Sequence, residues 1–486
     1  METHTRYSAK KMKMTTDIPA GIVTPDRVET RLGTLKFFDG LPDEATVQTV
    51  YDNLDFQRTV QAFLTSLPAA QAHATRTGIR TFGPDNQTVL ITESLVDSHT
   101  LIGMPNPDVV YTFFWLDTNE GPLVIEVPPH VLGFINDLWG RYVADVGKAG
   151  LDKGEGGKYL LLPPGYTGAV PDDYFVLHTS TYGNFLLFRG FLVNGDPRPA
   201  VENTKKHLRT YPLDSGANPP VMNFLNISGA PFNMVPANDT TFFDAVNAVV
   251  QEEPLEATDP ETRGLLAAVG IRKGKPFAPD VRMQRILAEA AAVGNATARA
   301  ITFRTRDETA YYYPDSAWQT CWIGNDYEFS PGGVLNLDGR TLYFYLAWMV
   351  SPAMAVKMVG MGSQYATAFR DAAGRYLDGG KAYRLHLPAP IPAKDFWSVV
   401  VHDPQTRSML QTDQRFASTG SQKEGITVNP DSSVDVYFGP EPPAGKEANW
   451  VQTIPGKGWF VLFRLYGPLE PWFDQTWRPG EIELLD

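Results

Sequence analysis

Side chains that could carry out acid–base chemistry or hold a polar ligand lie at the ends of predicted strands in two parts of the chain. The first part places an amide, a carboxylate, a phenol and a guanidinium close together in sequence, at Asn106, Asp108, Tyr111 and Arg141. The second part places an imidazole, a guanidinium, an amide and an indole in loops, at His402, Arg407, Asn449 and Trp450. Groups of these kinds recognise polar ligands, and the aromatic faces can stack on a ring or a sugar.

These residue types suit an enzyme that acts on a small polar or carbohydrate-like substrate. Asp108 or His402 would be the general acid or base, because carboxylates and imidazoles transfer protons. Arg141 or Arg407 would bind an anionic group, and Trp450 would form a stacking wall. The other contacts to the substrate would come from Asn106, Tyr111 and Asn449. The sequence thus favours a cofactor-independent hydrolase or lyase, and the alternative is a non-catalytic protein that binds a small molecule or another protein.

A glycine- and lysine-rich stretch, GKAGLDKGEGGKYLLLPPGY at 147–166, invites comparison with a phosphate-binding loop. Such a loop needs G-x4-G-K-[ST] between a strand and a helix, so that backbone N–H groups at the helix N-terminus meet the anion. Counting back from Gly157 and Lys158, Asp152 replaces the first glycine, and Tyr159 replaces the serine or threonine that binds magnesium. A strand-like run follows, so we predict that the glycines serve a turn.

The eight histidines and the single cysteine form no recognisable metal or nucleophile motif. No two histidines are spaced i, i+2 or i, i+4, and the sequence has neither H-E-x-x-H nor a cysteine pair. Ser363 in GMGSQY lacks the second flanking glycine of a serine-hydrolase elbow. Cys321, between two tryptophans, is predicted to be a buried structural thiol. We therefore predict no metal and no bound organic cofactor.

The charge of the chain restricts its partners. A net charge of −13 and a pI near 5.2 argue against nucleic acid or an anionic membrane, because such partners require a basic face. The N-terminal stretch lacks the apolar segment of about 7 to 15 residues that marks a secretory signal, and no run of about 18 apolar residues follows. We expect a cytoplasmic protein with a small-molecule ligand, and its oligomeric state is not specified by the sequence.

Strand-like runs, which must position these side chains, fall in two blocks separated by helices. The first block contains DVVYTFFWLD, GPLVIEVPP, GKYLLLPPGY, DYFVLHTSTY and NFLLFRGFLV. The second contains QYATAFRDAAGR, AYRLHLPAP, DFWSVVVHD, SVDVYFGP and GWFVLFRLYGP. Apolar residues at i, i+3, i+4 and i+7 predict a helix over 43–67. Three more helices are predicted between the blocks, in TTFFDAVNAVVQEE, DPETRGLLAAVG and APDVRMQRILAEAAAVGNATARAITF.

The two blocks contain similar motifs in the same order. Y-x5-D occurs at 111–117 and 365–371, and W-x5-D occurs at 139–145 and 397–403. VIEVPP and RLHLPA each close a strand on proline, YLLLPPG and WVQTIPG share an aromatic residue and Pro-Gly, and FLLFR matches FVLFR. Five matches in one order are hard to obtain by chance, so we infer two copies of one β-domain.

Each inferred copy ends on a strand that carries an arginine among apolar residues, Arg189 in the first and Arg464 in the second. Alternation places the even-numbered residues Phe460–Tyr466 on one face of the second strand and the odd-numbered residues Trp459–Leu465 on the other. A buried, unpaired guanidinium costs several kcal/mol, so each arginine should find a carboxylate. The predicted structural ion pairs use the matched aspartates Asp117 and Asp145, and Asp371 and Asp403.

These elements predict five segments. They are a disordered N-terminal tail (1–23), an N-terminal helical segment (24–75), a first β-domain (76–200), a helical bundle with its connections (201–335) and a second β-domain (336–486). The candidate polar residues then lie in the two β-domains, on loops where functional groups are usually found.

Several of the motifs resemble those of a bacterial family whose activity is unknown. TPDRVETRLGTLKFFDGLPDEATVQTVYDNLDF, NPDVVYTFFWLD and DKGEGGKYLLLPPGY resemble the domain of unknown function 1254. YRLHLPAPIPAKDFWSVVVHDPQTRSML through NWVQTIPGKGWFVLFRLYGPLEPWFDQTW resembles its usual companion, the domain of unknown function 1214. The resemblance covers nearly everything from Thr24 to Glu483. It implies a mainly β fold with a helical part, in which two immunoglobulin-like or jelly-roll β-barrels are braced by a helical bundle.

The chain departs from its relatives at two points. Relatives commonly read Asn-x-Asp-Thr-x-Tyr where this chain has Val109 after Asp108, so a hydroxyl is missing beside the candidate acid–base group. Many relatives also carry an export leader that the N-terminal residues here do not resemble.

Overall fold

The computed structural model describes residues 12–215 and 219–485. Two compact units divide these residues, one ending at Arg58 and the other beginning at Thr59. Residues 1–11 of the predicted tail, 1–23, lie outside the described residues. The rest of the tail contains one turn of 3-10 helix at Ala20–Ile22.

A small antiparallel sheet precedes the helix in the first unit. The strands are β1 (Arg27–Thr30), β2 (Gly33–Phe38) and β3 (Leu41–Pro42), and the helix is α1 (Glu44–Thr65), whose residues after Arg58 belong to the second unit. Gly33 and Gly40 have φ angles of +96° and +83°, which favour glycine and allow tight turns between the strands. The helix predicted over 43–67 is confirmed. The segment predicted as helical, 24–75, nevertheless begins with strands, because glycine turns interrupt its short apolar runs.

After the end of α1, the second unit contains α2 (Leu67–Arg80), β4 (Thr88–Ile91), β5 (Thr100–Leu101), β6 (Val109–Asp117), β7 (Leu123–Val127), β8 (Val131–Asp137), β9 (Tyr142–Gly147), β10 (Gly157–Leu162), β11 (Phe175–His178), β12 (Gly183–Phe191), α3 (Arg198–His207), β13 (Arg209–Pro212), β14 (Asn223–Asn226) and β15 (Phe232–Asn233). A helical stretch follows, with α4 (Thr241–Glu252), α5 (Pro260–Ala268), α6 (Val281–Phe303), α7 (Leu337–Leu346) and α8 (Pro352–Ala355). The last elements are β16 (Ser363–Ala368), β17 (Tyr383–Leu387), β18 (Ala393–His402), β19 (Ser418–Gly420), β20 (Val434–Gly439), β21 (Trp450–Gln452), β22 (Phe460–Pro468), α9 (Glu470–Phe473) and β23 (Ile482–Leu484).

Four sheets contain most strands of the second unit. Before the helical stretch the strand orders are β14-β4-β6-β12-β8-β9 and β11-β10-β7-β13, and β5 pairs separately with β15. After it the orders are β16-β22-β18-β19 and β21-β20-β17-β23. The predicted barrels do not form among the described residues, because the first and last strands of each order do not pair with each other. The predicted combination of β-sheets with a helical part is confirmed.

Strand alternation directs the two faces of the sheet that contains β12, and of the sheet that contains β22, into different cores. In β22 one core receives Phe460, Leu462 and Tyr466, and another receives Val461, Phe463 and Leu465, which confirms the predicted faces. In β12, Phe185 and Leu187 join the first of these cores, and Leu186 and Phe188 join a third. The shared core, which we call the central core, also contains apolar side chains of α2, α4, α6 and α7.

The three helices predicted between the blocks correspond to α4, α5 and α6. Two of the three N-terminal signals cap their helices, because Asp259 accepts the Glu261 N–H at 2.9 Å and Asp280 accepts the Met283 N–H at 2.7 Å. The side chain of Thr240, at the start of α4, makes no capping hydrogen bond. α2 packs on α4, and α6 packs on α7.

Candidate functional site

Two tyrosine–arginine pairs face the central core, one from the sheet that contains β12 and one from the sheet that contains β22. Tyr111 on β6 is the cross-strand partner of Arg189 on β12, and Tyr365 on β16 is the partner of Arg464 on β22. Arg189 is only 6% exposed and Arg464 only 2%. Both arginines extend the apolar face of their own strand, so alternation turns them inward.

Arg189 is surrounded by aromatic rings and sulfur. Its guanidinium carbon lies 5.9 Å from the centre of the Tyr111 ring. Nη2 donates to the sulfur of Met354 at 3.5 Å, and Nε has no hydrogen-bond partner. Tyr365 and Tyr466, from the other sheet, are close enough to interact with Arg189 electrostatically. The guanidinium therefore lies where two sheets meet, with the Tyr111 hydroxyl and the Met354 sulfur as its neighbouring acceptors.

Arg464 is held by the loop that precedes β6. Its Nη2 donates to the carbonyl oxygens of Met104 and Pro105, at 2.5 and 3.0 Å, and Nη1 has no partner. Carbonyl oxygens carry no net charge, so these bonds do not neutralise the guanidinium. No salt bridge involves either Arg189 or Arg464 within the described residues.

Hydroxyl and amide groups connect the two halves at this point. Asn106 donates from Nδ2 to the Tyr466 hydroxyl at 3.0 Å, and its Oδ1 accepts the Asp108 N–H at 2.9 Å. The hydroxyl oxygens of Ser363 and Tyr365 are 2.5 Å apart. Burial raises the pKa of Tyr466, so its hydroxyl stays protonated at neutral pH.

The Asp108 carboxyl group is close enough to Arg464 to interact with it electrostatically. Burial raises its pKa to about 6, while the Ser398 hydroxyl and the charge of Arg464 lower it. Its Oδ2 is shielded from solvent and has no hydrogen-bond partner. A carboxyl group that titrates near neutral pH can donate or accept a proton there. We refer to Tyr111, Arg189, Tyr365, Arg464, Tyr466 and Asp108 as the central polar cluster.

His402, the other predicted acid–base residue, is buried against Phe460. The two ring centroids are 5.1 Å apart and stacked, and neither imidazole nitrogen has a hydrogen-bond partner. Burial, and then the charge of Arg464, hold the pKa of His402 well below 6.5. The imidazole is therefore neutral and packs as an aromatic ring.

Asp145 supplies a second carboxyl group near Arg189. Its Oδ1 accepts from the Ser351 hydroxyl at 2.6 Å. Burial raises the pKa of Asp145 to about 7, while Ser351 and Arg189 lower it. No direct salt bridge joins Asp145 to Arg189, so this predicted ion pair does not form.

The other aspartates predicted to pair with the two arginines bind elsewhere. Asp117 accepts a backbone N–H two residues further on, Asp371 pairs with Arg375 at 2.9 Å, and Asp403 pairs with Lys457. Each lies at or just beyond the end of a strand region, where a carboxylate can close a turn. The prediction was wrong because the arginines reach inward to the neighbouring sheet and the aspartates remain at the strand ends.

Three of the predicted ligand-binding residues make structural contacts outside the cluster. Arg141 donates from Nε to Asp137 at 2.7 Å, and Trp450 donates from Nε1 to the Gly439 carbonyl at 2.9 Å. The Asn449 amide makes three bonds to backbone groups at 2.8 to 2.9 Å. Across residues 59–215 and 219–485, no hydrogen bond, salt bridge or ring contact joins any of the three to the cluster.

Arg407 also has a structural role. Its guanidinium carbon lies 4.4 Å from the centre of the Tyr345 ring, and its Nε donates to the Tyr345 carbonyl at 3.0 Å. The Arg407 carbonyl accepts the Met104 N–H at 2.9 Å. Arg407 thus positions the loop whose carbonyls hold Arg464.

The strand register corrects one of the predicted motif matches. Leu132 on β8 lies opposite Arg189, and Ser398 on β18 lies opposite Arg464. Asp137 follows Leu132 by five positions, and Asp403 follows Ser398 by five positions. Asp137, and not Asp145, is therefore the counterpart of Asp403. The W-x5-D match fails for the same reason, since Trp139 follows its strand and Trp397 lies within one.

Sequence reasoning missed Tyr365 and Tyr466 as site residues, although signals for both were present. Tyr365 is the counterpart of Tyr111 in the Y-x5-D match, and Tyr466 lies on the same strand face as Arg464. The cross-strand partners of the arginines, which define the cluster, depend on register and are not readable from one strand alone.

The glycine-rich stretch forms a turn organised by Asp152. Its carboxylate accepts the Gly147 N–H at 2.8 Å and the Tyr159 hydroxyl at 2.5 Å. β10 then begins at Gly157, so a strand follows the loop. The residue that replaces the first glycine of a phosphate-binding loop is thus a buried carboxylate that closes the turn.

Cys321 lies fully buried in the central core. Burial raises the pKa of its thiol to about 12, which keeps it protonated and unreactive at neutral pH. In the described part of the chain, no group of three His, Cys, Asp or Glu side chains is arranged to hold a metal ion. Nor does any helix in that part have the length and apolar character needed to cross a membrane.

Family models match both halves of the second unit. The model described as "Protein of unknown function (DUF1254)" matches residues 86–212, and the one described as "Protein of unknown function (DUF1214)" matches residues 362–470. The chain pairs a DUF1254 domain with a DUF1214 domain, in the order that the sequence motifs predict.

Solved structures that resemble the protein include one from Vibrio parahaemolyticus and one from Burkholderia cenocepacia. The VPA0106 protein from Vibrio parahaemolyticus matches with a TM-score of 0.55 and 16% identity, over 89% of this chain and 100% of that one. An uncharacterised protein from Burkholderia cenocepacia matches with a TM-score of 0.40 and 13% identity, over 91% and 97% of the two chains. No curated protein matches. The likeness to the Vibrio protein shows a shared fold.

Proposed function

We propose that the central polar cluster binds a small polar molecule that carries an anionic group such as a carboxylate. The supporting observation is that the guanidinium groups of Arg189 and Arg464 are buried and have no carboxylate in a salt bridge. An uncompensated buried charge costs several kcal/mol. Each guanidinium also retains an N–H group without an acceptor. An anion would supply the direct acceptor that the nearby Asp108 and Asp145 carboxyl groups do not provide, and arginine suits carboxylate and phosphate groups better than lysine does.

We further propose that the protein is a cofactor-independent hydrolase or lyase that acts on this ligand. Asp108 supports the proposal because its pKa of about 6 allows proton transfer near neutral pH, next to the arginine that would hold the anion. The Tyr365 and Tyr466 hydroxyls could donate hydrogen bonds to charge that develops on the substrate. A buried site excludes water and strengthens both effects.

Ligand binding is tested by thermal denaturation and calorimetry with acetate, succinate, phosphate and sulfate, and with glycerol and glucose as uncharged controls. At least one anion should stabilise the wild type. Arg464→Lys keeps the charge but loses the planar donor geometry, so affinity should fall about tenfold, or about 1.4 kcal/mol. Arg375→Lys, an exposed arginine outside the cluster, is the matched control and should bind normally. Binding of no anion, or equal binding by Arg464→Lys and wild type, would falsify the proposal.

A non-catalytic binding protein is the second candidate function. The state of His402 favours it, because a neutral imidazole packed on Phe460 leaves Asp108 without a second proton-transfer residue. Asp108→Asn separates the two candidates. An enzyme should lose turnover and keep most of its ligand affinity, whereas a wild type that binds the ligand without converting it is a binding protein.

We also propose that the two halves of the second unit are copies of one two-sheet domain of the immunoglobulin-like or jelly-roll type. Support comes from strand order, since β6 to β13 correspond one by one, in chain order, to β16 to β23. In the matching sheets β11-β10-β7-β13 and β21-β20-β17-β23, the edge strand that pairs in parallel is β11 in one half and its counterpart β21 in the other. An experimental structure should superpose the two sets with Arg189 on Arg464.

We infer that the protein works in the cytoplasm on a small molecule, and not on nucleic acid or a membrane. The net charge of −13 supports the exclusion of polyanionic partners. Cell fractionation tests the location, and recovery of the chain outside the cytoplasmic fraction would contradict it.

A further inference from the structure

A cavity of about 400 Å³ lies among α4, α5 and the segments that join and follow them. This volume is in the range of small-molecule sites, about 300 to 1,000 Å³. Trp139, from the loop after β8, forms part of the wall. Most of the lining is apolar, and it includes Val249, Val250, Leu255, Ala257, Leu266 and Ile271.

Three cationic side chains also line this cavity: Arg263, Arg272 and Lys273. Arg263 donates from Nη1 to the Leu255 carbonyl at 2.8 Å, and Lys273 donates from Nζ to the Gln251 carbonyl at 2.7 Å. None of the three forms a salt bridge within the described ranges. Arg272 and Lys273 are exposed, so they mark the solvent side of the cavity. Positive charge without a paired carboxylate is notable in a chain whose net charge is −13.

Glu253 is the one carboxylate among the lining residues, and its two oxygens accept hydrogen bonds from backbone N–H groups. Oε1 accepts the Gly183 N–H at 3.1 Å, and Oε2 accepts the Tyr182 N–H. Glu253 is only 3% exposed, whereas the two cations on the solvent side are exposed. It therefore does not neutralise them through a direct contact.

We propose that this cavity binds an amphipathic anion, with an apolar chain of about ten carbon atoms and a carboxylate head. The apolar walls would cover the chain, and the head would lie beside Arg272 and Lys273 at the solvent side. An apolar body oriented by a few polar contacts is the usual pattern of small-molecule sites. The site is distinct from the central polar cluster, and the proposal does not depend on the function of that cluster.

Gly264 on α5 offers a way to close the cavity while leaving the fold intact. It lines the cavity, it is exposed, and an added Cβ would meet no atom within 4 Å. Replacing an exposed helical glycine also favours the helix. Gly264→Trp should therefore obstruct the cavity, and Gly264→Ala is the matched control that should leave it open.

The test measures decanoate binding to the full chain by calorimetry and by displacement of anilinonaphthalene sulfonate. Wild type and Gly264→Ala should bind decanoate, and Gly264→Trp should bind it at least tenfold more weakly. The double variant Arg272→Glu, Lys273→Glu should lose decanoate affinity to a similar extent and keep its affinity for decanol. Circular dichroism and thermal melting establish that each variant is folded.

Any of four results would overturn the proposal. If decanoate does not bind the wild type, or binds Gly264→Trp as well as it binds Gly264→Ala, the cavity is not its site. If wild type binds decanol as tightly as decanoate, the cations do not select an anionic head. If Gly264→Trp fails to fold, the double charge-reversal variant decides, and undiminished decanoate binding by that variant rejects the site.

Discussion

Three carboxyl groups of the second unit, the buried Asp145 and Glu253 and the half-buried Asp108, titrate near neutral pH. The pKa values of Asp108, Asp145 and Glu253 are about 6, about 7 and about 7, and burial is the largest cause in each case. The same groups ionise near pH 4 in an unfolded chain. Between about pH 4 and pH 7 the folded state therefore binds more protons than the unfolded state, and the free energy of unfolding falls as pH rises. Carboxylates that form ion pairs produce the opposite trend.

Asp145→Asn should remove much of this pH dependence. Asparagine resembles the protonated carboxyl group and can still accept the Ser351 hydroxyl hydrogen bond. A shift of about three pKa units corresponds to at most about 4 kcal/mol of unfolding free energy. We expect the free energy of unfolding of the variant to be about 2 kcal/mol higher than that of the wild type at pH 8, and the two values to be closer at pH 5. Urea denaturation at both pH values measures the difference.

The substitution Glu120→Gln, at an exposed position, is the control for Asp145→Asn. It should leave the pH dependence of the free energy of unfolding as it is in the wild type. A variant that loses as much stability as the wild type between pH 5 and pH 8 would show that Asp145 is not a source of the trend.

The elements with regular apolar patterns could be predicted from sequence, and those that depend on close backbone packing could not. The faces of β22 and the limits of α4 to α6 follow from periodicity and from capping aspartates. β8 escaped prediction because Gly133 interrupts its apolar pattern. A Cβ at Gly133 would lie 2.3 Å from that of Phe188, so the neighbouring strand requires glycine there. The central polar cluster escaped prediction because it depends on pairing between strands far apart in sequence.

The turn after β9 should be far more sensitive to an added methyl group than another glycine turn in the same domain. Gly147 has φ +75°, and a Cβ there would lie 2.0 Å from the Val131 carbonyl oxygen. Gly195, between β12 and α3, has φ +79° and open space around the same position. We expect Gly147→Ala to lower the free energy of unfolding by about 3 kcal/mol or more and Gly195→Ala by about 1 kcal/mol. If urea denaturation showed similar losses of stability for the two variants, the steric clash between a Cβ at position 147 and the Val131 carbonyl oxygen would be contradicted.

At the scale of the whole second unit, the central core joins the two sheet systems to the helices. Phe185 of β12 lies 5.1 Å from Trp348, between ring centroids, and Tyr466 of β22 belongs to the same core. The Asn136 side chain of β8 also bonds to both backbone groups of Val350, at 2.8 and 2.9 Å. Because the halves share one core, we expect Thr59–Asp486 to unfold as one cooperative unit.

Phe185→Ala tests this cooperativity from a single position. Loss of a buried phenylalanine should lower the free energy of unfolding by about 3 to 5 kcal/mol. Hydrogen exchange should show the same loss of protection in the slowest amides of β22 as in those of β12, although the substitution lies in the first half. Normal protection in β22 would mean that the two halves unfold separately.

The reactivity of the single cysteine can report how often the central core opens. Cys321 lies in the central core, and the folded state keeps its thiol both inaccessible and protonated. A thiol reagent can modify the chain only when this core opens, because the sequence contains no other cysteine. The labelling rate therefore measures the frequency of core opening in the unmodified protein. Since one thiol cannot form an intramolecular disulfide, the chain can also be unfolded and refolded in air without scrambled intramolecular crosslinks.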